Sequence, residues 1–192
     1  AGQADHSLWY MKDRGLVNTA DSMVAIRKLV FDEKRISMAE LLDALDGNFA
    51  GERGEEIRRL CLGAPKYGNE DPAADAMLHD IGKFSAGVIH AQKNAVGQPY
   101  AVNRNGVSWH YYGGMGVGAL PDGRKSGEPM ADGSLSPMRG VDRFGPTAVL
   151  NSAVAADFHE AAISILNQRF PRALVGSPDA IYKLAALTES YM

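Results

Sequence analysis

The chain has 192 residues, with 20 Lys+Arg against 23 Asp+Glu and a formal net charge of −3. That balance excludes a general nucleic-acid binder, which carries a basic excess or stripe, and 45% hydrophobic with 22% charged residues excludes a disordered chain. No apolar run approaches the roughly 20 residues that span a bilayer, no signal-peptide pattern is present, and the single cysteine, Cys61, allows no internal disulfide; a reducing, cytoplasmic setting without membrane contact is expected.

In chain order, Asn18-Thr19-Ala20-Asp21 offers N-cap candidates before a helical stretch whose apolar positions are Val24, Ile26, Leu29 and Val30. Ser37-Met38-Ala39-Glu40 is a capping box, in which hydroxyl and carboxylate each satisfy an orphan amide. Leu41, Leu42 and Leu45 form the stripe of the helix that follows, with Gly47 as its C′ stop. A third helix carries Glu55 to Leu62. The loop Gly63 to Asn69 is closed by Asp71-Pro72, an N-cap with proline at N1, and the next helix runs through Met77, Leu78, Ile81, Phe84 and Val88 to near Gly97. Tyr100 to Tyr112 reads as one strand or two, broken at Asn103-Arg104-Asn105-Gly106 and ending in Trp109-His110-Tyr111-Tyr112. Gly113 to Gly133 holds seven glycines with Pro121 and Pro129, too long for a generic turn. Gly145-Pro146-Thr147 starts another helix, Ile163 to Leu166 is strand-like, and Ser177-Pro178-Asp179 caps a last helix that is still running at Met192. Helices separated by isolated strands indicate α/β architecture with parallel pairing, and two or three strands make a poor sheet unless others complete it.

Few residues carry recognisable chemistry. Gly114-Met115-Gly116-Val117-Gly118-Ala119 satisfies the loose dinucleotide pattern, but the turn Leu120-Pro121-Asp122-Gly123 stands where that pattern needs a helix, so nucleotide binding is rejected. His159-Glu160 begins a zinc-protease motif that Ile163 breaks. Asp75 and His79 share a helix face without an evident third ligand, so no metal is expected. Cys61, in Ile57-Arg58-Arg59-Leu60-Cys61-Leu62, reads as a small core residue rather than a nucleophile. Trp109, His110, Tyr111 and Tyr112 are the best local candidates for lining a ligand, against the alternative of an aromatic core with one satisfied histidine; ligands of α/β sheets gather at strand carboxyl ends.

Several segments resemble the glycyl radical enzymes of the pyruvate formate-lyase-like superfamily. They are Asn18-Thr19-Ala20-Asp21-Ser22 with Ala25 to Phe31, Ala64-Pro65-Lys66-Tyr67-Gly68-Asn69-Glu70-Asp71, and, most specifically, Gly118-Ala119-Leu120-Pro121-Asp122-Gly123-Arg124-Lys125-Ser126-Gly127-Glu128-Pro129. The last continues through Ala131-Asp132-Gly133, Ser136-Pro137 and Gly145-Pro146-Thr147-Ala148-Val149-Leu150. The forms of Ala131-Asp132-Gly133 and Gly145-Pro146-Thr147 look more like the dehydratase, amine-lyase, arylacetate decarboxylase and fumarate-adding branch than the formate-producing lyase.

The resemblance implies a helix-rich portion of a ten-stranded α/β barrel. Residues 1–97 are expected to be mainly helical, 98–144 a strand plus the glycine-rich loop, and 145–192 helix–strand–helix. It also implies a lyase that cleaves or forms C–C, C–O or C–N bonds. In such enzymes a backbone glycyl radical passes to a cysteine, whose thiyl takes hydrogen from a small-molecule substrate. The radical is installed by a radical SAM activating enzyme with S-adenosylmethionine and a 4Fe-4S iron–sulfur cluster, and the full-length enzyme is a homodimer. The family's Gly-Cys pair followed by Glu and its radical-glycine motif do not occur in these 192 residues. No catalytic residue is therefore assigned, the chain itself is expected to bind no cofactor, and alone it is expected to be inactive. Pro121, Asp122, Gly123, Arg124, Asp132 and Gly133 are expected to shape the barrel mouth or its structure. A slice of a closed barrel also exposes strand edges, so self-association or marginal stability is expected. The rival reading is a stand-alone, non-catalytic module that keeps part of the barrel for packing or partner binding.

Overall fold

The computed structural model describes residues 8–170 and 172–191. Three parallel strands, β1 (Tyr10–Lys12), β2 (Ala101–Asn103) and β3 (Ala161–Ile163), pair in that spatial order. Tyr10 lies opposite Ala101 and Lys12 opposite Asn103, and a register irregularity separates Val102 from Asn103 on the β3 side. Parallel neighbours require crossovers. The first contains α1 (Leu16–Ile26), which continues as a π-helical turn over Arg27–Asp32, then α2 (Met38–Asp46), α3 (Gly51–Gly63) and α4 (Pro72–His90). The second contains the short α5 (Trp109–Met115), the glycine-rich segment and α6 (Gly145–Ala156). The helices α7 (Arg172–Val175) and α8 (Ala180–Tyr191) follow.

The local signals act where their chemistry is local. Ser37 Oγ accepts from Glu40 N at 3.1 Å, and Glu40 Oε2 accepts from Ser37 N at 2.8 Å, completing the capping box of α2. Asp71 Oδ1 accepts from the amides of Ala73 and Ala74 at the start of α4. Four expectations fail. The helix α1 begins at Leu16 behind Gly15, which is left-handed at φ 81°, so Asn18 and Asp21 are interior residues rather than caps. The helix α4 ends at His90, well short of Gly97. The extended segment from Tyr100 stops at Asn103, where Asn103 and Asn105 turn the chain by accepting from the amides two residues on. Trp109 to Tyr112 therefore stand in the first turns of α5, not at a strand end, and β3 lies at Ala161–Ile163 rather than Ile163 to Leu166.

One apolar cluster unites Leu16, Val17, Tyr67, Leu78, Ala153 and Phe158, joining α1, α4 and α6, while Ala86 and Ile89 of α4 pack on Val102 of the sheet. A second gathers Leu29, Ile36, Leu41, Phe49, Ile57 and Cys61 under α2 and α3. No helix among the described residues is long and apolar enough to cross a membrane.

Candidate functional site

Two arrangements dominate the carboxyl ends of the strands. The first is the frame of the glycine-rich segment. Arg124 is 2% exposed, and its guanidinium donates to the carbonyls of Val117 at 2.8 Å, Gly118 at 2.5 Å, Gly114 at 3.4 Å and Glu128. A segment with few apolar side chains and no regular ladder thus places its carbonyls around one planar five-donor cation. Burial lowers the pKa of Arg124, which the nearby Asp122 and Glu128 partly offset. Asp122, fully buried, accepts from Arg124 N at 2.8 Å and from Asn18 Nδ2 at 2.6 Å. Asn18 Oδ1 in turn accepts from Ala131 N at 2.8 Å. One asparagine inside α1 therefore holds the segment at two points nine residues apart (122 and 131). Gly123 completes the bend at φ 97°, its carbonyl accepting from Arg58 Nε at 2.9 Å. Asp122, Gly123 and Arg124 are thus buried, and Pro121 is half-buried.

Beside this frame, Asp21 accepts from Tyr67 N at 2.8 Å while its other oxygen is buried without a partner. Burial pushes its carboxyl up from 3.8 to about 7, against the opposing pull of Lys66 and the Tyr67 amide. Burial likewise lowers Lys66, whose Nζ donates to Cys61 O at 2.7 Å. The folded state therefore holds a proton at Asp21 that the unfolded chain releases above its ordinary value. Below pH 3.8 this contribution to stability is complete; it declines as pH rises and levels off above about 7. The D21N variant is expected to lose that component, so its stability relative to wild type rises between pH 4 and 7. Urea midpoints across that range check the sign.

The second arrangement is a cleft of about 250 Å³ lined by His110, Tyr111, Asp132, Ser136, Arg139 and Asn167, among others. His110 follows β2, Asn167 follows β3, and Asp132 comes from the glycine-rich segment, so three stretches distant in sequence meet where parallel sheets collect ligands. His110 Nδ1 lies 3.2 Å from both Asp132 Oδ1 and Val107 O. Asp132 Oδ2 accepts from Asn167 Nδ2 at 2.9 Å. Met130 N donates to His110 O at 2.9 Å, tying the frame to the cleft. The four aromatic candidates divide: Tyr111 lines the cleft with His110, Tyr112 is 68% exposed with its ring edge-on to Tyr111, and Trp109 lies under the Arg14 guanidinium at 5.3 Å. Gly133 lies at φ 65° against Ile165 O.

Asn167 and Val107 escaped the sequence reading as site residues, and that reading marks Asn18 as a helix cap and within a family segment, not as the tie it makes to Asp122 and Ala131. No local pattern marks these roles, because the partners lie on other segments or in backbone carbonyls. Cys61 is buried in α3, and burial pushes its thiol up to about 11. The Cys61 thiol packs in the apolar cluster under α2 and α3. Asp75 turns toward α6, where its Oδ2 accepts from Ser152 Oγ at 3.1 Å.

Comparison with known proteins gives this geometry its context. The pyruvate formate lyase-like family model matches residues 1–114. The chain is 35% identical over 191 residues to trans-4-hydroxy-L-proline dehydratase of Clostridioides difficile, covering 99% of this chain and 24% of that protein. It is 34% identical over 197 residues to isethionate sulfite-lyase of Desulfovibrio desulfuricans, covering 96% and 22%. The glycerol-bound B12-independent glycerol dehydratase of Clostridium butyricum superposes with a TM-score of 0.91 at 34% identity, over 99% of this chain and 24% of that one. The chain spans about a quarter of the length of these relatives. It belongs to the pyruvate formate lyase-like family.

Proposed function

We propose that the chain is a sector of the barrel wall of a glycyl radical lyase, a cytoplasmic, anaerobic enzyme that cleaves or forms C–C, C–O or C–N bonds. The observation that carries this reading is the cleft at the strand carboxyl ends, walled by a segment wound on Arg124, in a chain resembling dehydratases along nearly its whole length. The sheet gives further support: Tyr10 and Met11 on the outer strand are exposed, as expected where neighbouring strands complete a barrel.

In this reading the radical glycine and the thiyl cysteine belong to segments outside these residues, since neither motif is in the sequence and Cys61 is a packing group. The radical, once installed by an iron–sulfur activating enzyme, supplies hydrogen abstraction from carbon. This chain's own residues do something else. His110 and Tyr111, with Asp132, line the space for a small-molecule substrate, while Trp109 and Tyr112 flank it. Pro121, Asp122, Gly123 and Arg124 keep the wall rigid so that water stays out of a site whose intermediates it would quench. The complete enzyme assembles as a homodimer.

An antibody raised against the chain and used to blot anaerobic lysate tests the reading. A band several times larger than 20.6 kDa is expected. A band at that mass would replace the lyase with a stand-alone packing or binding module.

A further inference from the structure

Resting on the reading above, we propose that His110 is the hydrogen-bond acceptor that selects a hydroxyl-bearing substrate in the cleft. The argument begins with its tautomer. A carbonyl oxygen only accepts, and so does an ionised carboxylate, and His110 Nδ1 faces one of each at 3.2 Å, from Val107 and Asp132. Nδ1 is therefore the donor, and in the tautomer this selects, Nε2 is the lone-pair acceptor. Among the described residues Nε2 has no hydrogen-bond partner, and the ring lines the cleft, with its side chain 28% exposed.

Both groups that set the tautomer are themselves held. Asp132 is fixed by Asn167 at 2.9 Å. Val107 sits at φ 45°, a region that β-branched residues rarely enter. Two successive asparagine turns hold it there: Asn103 Oδ1 accepts from Asn105 N at 2.8 Å, and Asn105 Oδ1 accepts from Val107 N at 3.1 Å. An unfavourable backbone conformation held by its surroundings, whose product is a carbonyl aimed at a histidine, is the kind of strain that functional sites retain. The consequence is chemical selectivity. An acceptor at Nε2 takes an O–H and leaves a molecule without that donor unpaired. Arg139 and Arg169 line the same cleft and suit an acid group on a hydroxylated substrate, while a neutral polyol shares only the hydroxyl.

The test measures binding by calorimetry on the full-length polypeptide that carries these residues, before activation, with glycerol, trans-4-hydroxy-L-proline and L-proline as probes. Wild type is expected to bind at least one hydroxylated probe more tightly than L-proline. H110F, which keeps ring volume and removes the acceptor, is expected to weaken that binding about 10- to 100-fold while leaving L-proline unchanged. H110Q, whose amide oxygen supplies an acceptor, is expected to recover most of the loss. H110L, which also removes the acceptor, is expected to weaken that binding in the same way and provides the second variant if H110F fails to fold. Hydroxyl binding that is unchanged in H110F or, should that variant not fold, in H110L overturns the proposal. So does a wild type that binds neither hydroxylated probe or does not prefer them to L-proline. The lyase reading is scored separately, by radical formation after activation, which involves no group of His110. Absence of the radical with hydroxyl selectivity intact would remove the lyase and leave this assignment standing.

Discussion

R124M is expected to destabilise the folded protein by about 3–5 kcal/mol, the range seen when one member of a buried charged network is removed. The loss falls on the carbonyls of Gly114, Val117, Gly118 and Glu128, all of which the guanidinium serves. A thioether supplies no donor to any of them, and a buried carbonyl left alone costs about 1–3 kcal/mol; the segment will loosen to reach water rather than bear the full sum. Asp122 stays satisfied, because its partners are the Arg124 backbone amide and Asn18. R124K tests the geometry: one ammonium cannot span four carbonyls arranged around a planar fork, so it should recover little. Denaturant midpoints give the size of the effect, and amide hydrogen exchange over 114–128 gives its location. R124K matching wild type would show that charge alone, not the fork, organises the segment.

G133A is expected to cost roughly 3 kcal/mol, the sum of a left-handed backbone penalty and a steric shift. Gly133 stands at φ 65°, and a Cβ placed on it would lie 2.6 Å from Ile165 O. That oxygen accepts from the amides of Ser134 at 3.1 Å and Leu135 at 3.0 Å, so it cannot retreat without breaking the clamp between the two strand-end segments. Asp132 and Asn167 lie one and two residues from this contact, so the same substitution should also loosen the wall of the cleft. Thermal and denaturant unfolding of G133A against G127A separates the terms. Gly127 has φ 78° but nothing within 4 Å of its Cβ position, so G127A carries backbone strain alone and should cost less. Equal losses in the two would show that the close approach to Ile165 does not matter.

What could be read from the sequence follows the range of the forces involved. The capping box at Ser37 and Glu40 and the Asp71-Pro72 helix start involve partners within three residues, and both stand in the structure. The α/β class with parallel pairing followed from strands separated by helices, and the three parallel strands bear it out. Trp109 to Tyr112 misled because alternating aromatics imitate a strand, whereas the turns at Asn103 and Asn105 had already ended the extended chain. Asn18 and Asp21 misled in the same way. Both are good caps by type, yet they serve Asp122, Ala131 and Tyr67, at separations of 104, 113 and 46 residues. At the candidate site, His110 and Asp132 were both marked in the sequence, one as an aromatic-run histidine and one within a family motif. Their juxtaposition, with Asn167 and the Val107 carbonyl, exists only in the folded chain.

The central claim is that these residues wall the site of a glycyl radical lyase, and electron paramagnetic resonance tests it most directly. The full-length protein carrying the chain, reduced anaerobically with S-adenosylmethionine and an iron–sulfur activating enzyme, is expected to develop the signal of a carbon-centred backbone radical that oxygen destroys. A protein that is folded, full length and exposed to a competent activating enzyme, yet gives no such signal, would contradict the account.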